Sequence, residues 1–387
     1  MAEAYIVAAV RTAGGRRNGR LVGVHPADLG AMSINAVLAR TGIDPAAVED
    51  VIVGCVTQAG EQASNIGRHV VLASHLPQSV PAVSIDRQCG SSQQAVHFAA
   101  QAVMSGTQDV VLAVGVETMS RNTMGLAFLA DKGYDQLSPV IHERYGVKAF
   151  SQFAGAEMIA AKNGFTRETL DRFGLASQQK AAAATQAGAF AAELVPVPVT
   201  LPDGTQTIHE VDEGIRFDAT YESIAGVKLI SPEGIITAAT SSQICDGSSA
   251  VLVVSEKALK LHNLTPIARI HNLTVTAGDP VIMLEEPLYA TERALKKVGM
   301  KIDDIDLYEV NEAFAPVPLA WLRYLGADPD KLNVNGGAIA LGHPLGASGA
   351  KLMATLVHAL RARGKRYGLQ TMCEGGGIAN VTIVEAL

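Results

Sequence analysis

The chain has 387 residues, of which 48% are hydrophobic and 18% charged, so it is long enough to bury a large core and form two or three domains. Its 31 basic and 38 acidic side chains give a formal net charge of −7, which excludes the broad basic surface that nucleic acids and anionic membranes require. Small molecules and further copies of the chain are therefore the expected partners, with no nucleic acid and no membrane. Because we find no secretory leader, no long apolar run and no peroxisomal C-terminal tripeptide, we expect the cytoplasm.

The four cysteines are far apart in the chain and form no Cys-x-x-Cys pair. They are Cys55, Cys89, Cys245 and Cys373. This spacing argues against a zinc ribbon and against a disulfide framework, so we expect a reducing compartment and no metal.

The first predicted elements alternate between helix and strand. In "ARTGIDPAAVEDVIVG" a helix stops at Gly42 and a buried strand follows. Further on, "PAVSID" is typical of a strand, and the segment after Cys89 is typical of a helix that ends at Gly106 before the strand "VVLAVG". This alternation predicts a largely parallel sheet with helices on its faces. We assign residues 1–118 to a first core domain.

A different kind of sequence occupies residues 119–248. It contains the Ala-rich helical segment "LASQQKAAAATQAGAFAAE" and polar turns such as "LPDGTQT". Long insertions on a rigid scaffold commonly cover ligands, so we expect a loop domain over a binding site. The strand in "SSAVLVVSEKAL" then returns the chain to the first core, which residues of about 249–268 complete.

Residues 269–387 repeat the organisation of the first core. The segment around Gly42 aligns without a gap on "LKKVGMKIDDIDLYEVN", with Gly42 opposite Gly299. A second pair of segments, at nearly the same offset, places Gly106 opposite Gly364. A repeat of this length is too long for a solenoid and predicts two duplicated α/β domains packed together.

Cys89 is the first candidate for chemistry, because it lies between a predicted strand and a predicted helix. The positive end of the helix dipole favours a thiolate there. A free cysteine is otherwise among the most buried and inert residues, so an inert packing role stays open at this point.

The second copy supplies further candidates. His343 lies in the glycine-rich "NVNGGAIALGHPLGASGAK", at the junction equivalent to that of Cys89, where duplication would bring a thiol and a base together. Asn311 follows a buried strand and is either a helix N-cap or a group that holds a water or an oxyanion. Cys373 ends the strand "YGLQTMC", and "EGGG" after it offers unobstructed backbone N–H groups to a developing negative charge.

Four motifs together resemble the thiolase family. They are "QCGSS" at 88–92, "NEAFA" at 311–315, "GGAIALGHPLGASGA" at 336–350 and "CEGGG" at 373–377. The resemblance implies an α/β fold, a duplicated αβαβα sandwich with an inserted loop domain. It also implies an acyltransferase that cleaves 3-ketoacyl-CoA with CoA or runs the reverse Claisen condensation, and that forms homodimers or homotetramers.

The same resemblance implies a role for each motif residue. Cys89 matches the acylated nucleophile, and His343 matches the base that accepts its proton and contributes to an oxyanion hole. Asn311 matches the residue that positions a water in that hole. Cys373 matches the acid/base cysteine, and the backbone amides of Cys89 and Gly375 match a second oxyanion hole. No metal or redox cofactor is expected, since CoA is a substrate and product.

The segment "IRFDATYES" resembles the family's CoA-binding segment. Arg216 is therefore expected near the nucleotide and Ser223 near its sugar or the pantetheine, while Ser242 matches a pantetheine contact. For both serines an ordinary turn or cap role stays open.

Two positions depart from the family pattern. Ser151 occupies the place where acetoacetyl-CoA thiolases usually carry histidine, which argues against that narrow specificity. Glu374 replaces a common apolar residue, and strand alternation predicts that its carboxylate points away from Cys373.

Three other classes of protein were weighed. A ketoacyl synthase would normally have histidine in place of Asn311. A non-catalytic acyl-CoA or sterol carrier would be expected to lose Cys89, His343 or Cys373. A redox or metal protein that used the cysteines would have too few ligands.

Overall fold

The structure is a computed structural model that describes residues 2–387, with the backbone alone at residue 131. Within these residues the strands, numbered in chain order, are β1 (Ala4–Thr12), β2 (Gly15–Arg16), β3 (Asp50–Gly54), β4 (Ala82–Ile85), β5 (Val110–Thr118), β6 (Leu194–Val195), β7 (Val197–Thr200), β8 (Gln206–His209), β9 (Cys245–Ser255), β10 (Ala268–Ala277), β11 (Leu307–Val310), β12 (Tyr367–Glu374) and β13 (Ile378–Ala386).

The helices of the same residues are α1 (Pro26–Thr41), α2 (Ile66–Ala73), α3 (Ser91–Ser105), α4 (Pro139–Tyr145), α5 (Gln152–Lys162), α6 (Arg167–Gln186), α7 (Tyr221–Ala225), α8 (Glu256–Leu261), α9 (Glu286–Val298), α10 (Pro316–Leu325), α11 (Ala338–Leu341) and α12 (Ser348–Ala362). The predicted glycine stops are present, because α1 and α9 end at Gly42 and Gly299 in the left-handed conformation, where a residue without a Cβ is favoured. No helix of the described residues is long and apolar enough to cross a membrane.

The duplication is visible in the main sheet. Its first half has the strand order β4-β3-β5-β9-β1, and its second half has the order β11-β12-β13-β10. In the first half, β3 pairs in parallel with β4 and β5, and the pairs β5–β9 and β9–β1 are antiparallel. In the second half, β11 and β12 are parallel, and the pairs β12–β13 and β13–β10 are antiparallel. Leu332, which bridges β11 in parallel, takes the place of β4 in the second half. The two halves join where β1 pairs with β10.

Five layers result from the packing of helices on these two half-sheets. Helices α1 and α2 cover the outer face of the first half, and α9 covers that of the second half. Helices α3 and α12 lie side by side between the halves in one apolar cluster. The expected αβαβα sandwich is therefore confirmed.

The middle helices approach each other closely at their first turns. A Cβ at Gly349 of α12 would lie 2.1 Å from the backbone nitrogen of Gln93 in α3, so only glycine allows this approach. The N–H of Ala350 also donates to Oγ of Ser92 at 2.9 Å. This contact brings the loops before α3 and α12 together, and these loops carry Cys89 and His343.

The segment between β5 and β9 contains α4 to α7 and the small β7–β8 sheet. Its helix α6 packs on α11 of the second half, and the buried Arg11 of β1 binds Glu193 and Asp212 of this segment. The insertion is thereby anchored to both halves of the molecule.

Candidate active site

Cys89 lies in a tight turn between β4 and α3. Gln88, the residue before it, has a φ of 50°, in the left-handed region that costs energy for a residue with a Cβ. The Ser91 hydroxyl holds the turn, since Oγ accepts the N–H of Arg87 at 2.9 Å and donates to the carbonyl of Gln88 at 2.6 Å. Cys89 is one residue before the N-cap Gly90, as the sequence predicts.

The Cys89 thiol has a pKa raised well above its usual value, chiefly by burial and then by Cys373 and Glu374. Although part of the residue is accessible, the packing around Sγ leaves a thiolate poorly solvated. The expected activation by the helix start is therefore outweighed. Cys89 needs a base to become a nucleophile.

His343 is buried and held at both ring nitrogens. Nδ1 lies 2.5 Å from Oγ of Ser348, whose hydroxyl donates to the carbonyl of Pro344 at 2.9 Å. Because the Ser348 hydroxyl proton is donated to Pro344, we assign the ring proton to Nδ1, which leaves Nε2 unprotonated. Burial, and then the charge of Lys351, lower the pKa of His343 to about 3, so the ring is neutral and able to accept a proton.

Asn311 faces the accepting nitrogen of this ring. Its Nδ2 lies 3.4 Å from Nε2 of His343, and its Oδ1 is buried without a hydrogen-bond partner in the described residues. Helix α10 starts only at Pro316 with Ala315 as N-cap, so the alternative of an N-cap role for Asn311 is wrong. An orphaned acceptor beside a base is a suitable place for an ordered water.

Cys373 and its neighbours lie against the Cys89 turn. The Glu374 carboxylate is packed so tightly on Gly90 that a Cβ there would lie 1.9 Å from Oε1, and a Cβ at Gly375 would lie 2.9 Å from Oε1 of Gln88. Burial, and after it the Glu374 charge, raise the pKa of Cys373 to about 12. The Glu374 carboxylate lies against Gly90, next to Cys89, because the loop before α3 packs on the end of β12; that it points away from Cys373 stays a prediction.

Two backbone N–H groups are available at the same place. Neither the N–H of Cys89 nor that of Gly375 donates to another residue among residues 2–387. Gly376 and Gly377 follow with φ of 84° and 78°, which turns the chain between β12 and β13. Unpaired N–H groups next to a thiol can bind a negatively charged oxygen.

A cavity of about 430 Å³ opens beside His343. Of the predicted CoA contacts, Arg216 and Ser242 line it. Ser223 does not, because its Oγ accepts the N–H of Thr220 at 3.0 Å in the capping box of α7. Ser151 is the N-cap of α5, and its neighbours Gln152 and Phe153 line the cavity in its place.

Sequence reasoning missed four residues of this site. Ser348 orients His343, and Lys351 donates to the carbonyls of Leu341 and Gly342 directly before that histidine. Both lie in or directly after the glycine-rich motif, so their closeness to His343 in the sequence could have identified them. Arg16 and Arg17 also line the cavity, and the basic cluster "GGRRNGR" in an acidic chain was a signal for them.

Within the described residues, no cluster of histidine, cysteine, aspartate and glutamate side chains has the arrangement of a metal site. The site residues are thiols, an imidazole and amides, which are groups for covalent acyl transfer.

Comparison with known proteins identifies the family. The model of the thiolase N-terminal domain matches residues 4–257, and that of the thiolase C-terminal domain matches residues 264–386. The chain belongs to the thiolase family. This thiolase is an acyltransferase acting on CoA thioesters, by thiolytic cleavage of 3-ketoacyl-CoA or the reverse condensation. The alternatives of a ketoacyl synthase and a non-catalytic carrier are not favoured.

Relatives of this thiolase match over the full chain. The steroid 3-ketoacyl-CoA thiolase FadA6 of Mycobacterium tuberculosis is 52% identical, over 100% of this chain and 95% of the relative. A beta-ketoadipyl-CoA thiolase of Acinetobacter baylyi is 41% identical over 100% of both chains. The crystal structure of human mitochondrial 3-ketoacyl-CoA thiolase has a TM-score of 0.89 at 38% identity, covering 100% of this chain and 99% of that one.

Proposed function

We propose that this thiolase carries the acyl group on Cys89, with His343 as its base. The observation that carries the proposal is the orientation of His343, whose unprotonated Nε2 faces Asn311 while Nδ1 is held by Ser348. An unprotonated ring nitrogen held in a fixed orientation can accept the proton of a thiol.

In the thiolytic direction, Nε2 of His343 accepts the Cys89 proton and Sγ attacks the 3-keto carbon of the substrate. The bond between C2 and C3 breaks, and the departing acetyl-CoA enolate takes the Cys373 proton. The Cys373 thiolate then deprotonates CoA, whose sulfur attacks the acyl-cysteine. Cys89 leaves as thiolate and recovers its proton from His343, so every proton returns to its source.

Two oxyanion holes would assist these steps. Asn311 would hold a water at its unpaired Oδ1, and this water with protonated His343 would bind the enolate oxygen. The free N–H groups of Cys89 and Gly375 would bind the oxygen of the tetrahedral intermediates. CoA would lie along Arg216 and Ser242, with its phosphates near the guanidinium. Ser223 as a further contact stays a prediction.

We also propose the domain division expected from the sequence: cores of 1–118, completed by 249–268, and of 269–387, with a loop domain of 119–248 over CoA. Support comes from β9, which pairs with β1 and β5 of the first half although it begins at Cys245, and from Arg216 and Phe153 of the insertion, which line the cavity.

A homodimer, alone or as half of a tetramer, is the proposed assembly. Strand β4 is an edge of the main sheet and packs on α2. Val83 of β4 and Leu72 of α2 are 44% and 55% exposed. Edge strands with apolar neighbours favour pairing between chains. Sedimentation of the purified protein tests this. A cytoplasmic location and the lack of a cofactor stay predictions.

The acyl-enzyme proposal is tested by mass spectrometry. After incubation with a 3-ketoacyl-CoA and no free CoA, we expect one acyl group on the peptide containing Cys89. Cys89→Ala should lack both this adduct and turnover, whereas Cys55→Ala, which removes a buried thiol outside the cavity, should keep both. Full turnover by Cys89→Ala would refute the proposal.

A further inference from the structure

The charged side chains that line the cavity are all of one sign. They are Arg16, Arg17 and Arg216, and no aspartate or glutamate of the described residues lines it. The remaining ionisable group, His343, is neutral because burial lowers its pKa. A cavity with three guanidinium groups is unusual in a chain whose net charge is −7, and it indicates an anionic ligand.

Arg16 and Arg17 reach the cavity from a different part of the chain than Arg216 does. Arg16 lies in β2, opposite Cys245 of β9, and therefore next to Ile244, which lines the cavity. After Arg17 the chain turns, and the N–H of Asn18 donates to Oγ of Ser120 at 2.8 Å. The backbone around the two arginines is thus held by β9, by Ser120 and by Glu213, which lies three residues before Arg216.

Both guanidinium groups have donors to spare. The Arg16 side chain is 69% exposed, and its Nε lies 3.8 Å from Oε1 of Glu213. The other carboxylate oxygen of Glu213 is occupied by the backbone N–H groups of Arg16 and Arg20, at 3.1 and 3.0 Å. Arg17 is exposed and forms no hydrogen bond or ion pair with any residue from 2 to 387.

Part of the cavity wall is apolar. It includes Met119, Ile244 and Leu345. An uncharged acyl chain that passes over this wall would reach the arginines and displace their water without replacing its hydrogen bonds, which is unfavourable. A chain with a carboxylate at its end would gain charge-assisted, bidentate hydrogen bonds there.

We propose that Arg16 and Arg17 bind a carboxylate at the far end of the acyl chain, so that this thiolase acts on 3-ketoacyl-CoA substrates with a second acid group. The inference rests on the proposed function, since it takes Cys89 as the acyl carrier and Arg216 as the CoA contact. The phosphates of CoA share the anionic chemistry of a carboxylate, and the experiment separates these two sources.

The experiment compares substrates that contain the same CoA and differ only at the chain end. We would measure kcat/KM for thiolysis of 3-oxoadipyl-CoA and of 3-oxohexanoyl-CoA, and of the matching eight- and ten-carbon pairs. At the chain length that reaches the arginines, we expect a preference of about 10- to 100-fold for the carboxylate-ended substrate. The variant Arg16→Gln/Arg17→Gln should lose this preference.

The matched control is Arg361→Gln, which removes an exposed guanidinium of α12 away from the cavity and should leave the preference intact. Two results would overturn the proposal. One is a wild type without preference for the carboxylate at any length. The other is a double variant in which kcat/KM falls equally for both substrates of a pair while the KM for CoA rises. That result would show that the arginines bind the phosphates of CoA.

Binding measurements test this inference independently of the proposed catalytic function. Adipyl-CoA and hexanoyl-CoA lack the keto group and are not cleaved, so calorimetry measures their affinities whether or not turnover is found. Tighter binding of adipyl-CoA, or of a longer carboxylate-ended homologue, that depends on Arg16 and Arg17 supports the inference. Equal affinities at all lengths contradict it.

Discussion

Nδ2 of Asn311 lies 3.4 Å from Nε2 of His343, and Oδ1 of the same amide is buried without a partner. The amide of Asn311 therefore contacts the base through Nδ2 and offers an unpaired acceptor through Oδ1. Asn311→Ala should lower kcat by about 100-fold, because one oriented oxyanion donor is lost with the water. Steady-state kinetics check this, and a change confined to the KM for CoA would show that Asn311 acts only in binding.

Glu374 is expected to govern the pH dependence of the nucleophile. Burial raises the pKa of Glu374 well above its usual value, and the ionised carboxylate opposes formation of the Cys89 thiolate. In Glu374→Gln the pH profile for alkylation of Cys89 by iodoacetamide should shift to lower pH. Superimposable profiles of wild type and variant would exclude this coupling.

His97 should contribute to instability in acid. It is buried in α3, where burial, and then Arg87 and Lys297, lower its pKa to about 3. The unfolded chain binds a proton near pH 6.5 whereas the folded chain does not, so stability is lost as the pH falls from about 6.5 towards 3. In His97→Gln the unfolding free energy should fall less over this pH range, by about 2 kcal/mol. Urea unfolding at pH 7, 6 and 5 measures it, and equal slopes would count against a neutral buried His97.

The contact between the middle helices predicts a sensitive glycine. Gly349→Ala would place a methyl group 2.1 Å from the backbone nitrogen of Gln93, which cannot rotate away. We expect a loss of about 2–4 kcal/mol in unfolding free energy, together with reduced activity, because both site loops adjoin this contact. The matched control is Gly23→Ala, which meets no atom within 4 Å and should unfold like the wild type. Wild-type stability of Gly349→Ala would mean that the helices can separate without cost.

Much of this organisation could be predicted from local pattern. Gly42 and Gly299 mark helix ends because a left-handed residue there favours glycine, and this preference is visible at single positions. The repeat then predicted two similar half-sheets. The junctions of Cys89 and His343 were predictable for the same reason, since strand-to-helix boundaries leave a signal in the sequence.

Other features depended on contacts between distant segments. Glu374 alternates with Cys373 along β12, yet its carboxylate lies against Gly90, the neighbour of Cys89, because the loop before α3 covers it. Likewise, a helix start alone predicts a thiolate at Cys89, but burial opposes it, and Cys373 and Glu374 from the second half of the chain oppose it further. Arg16 and Arg17 read as ordinary charged turn residues until β2 pairs with β9 beside the cavity.

The sequence by itself determined which residues form helices, strands and turns, and which family they belong to, because these properties depend on neighbours in the chain. Only the tertiary structure decided the tautomer of His343, the unpaired Oδ1 of Asn311 and the cationic wall of the cavity. Hydrogen-bond geometry, desolvation and charge depend on atoms within a few ångströms, and folding brings those atoms from positions that are far apart in the chain.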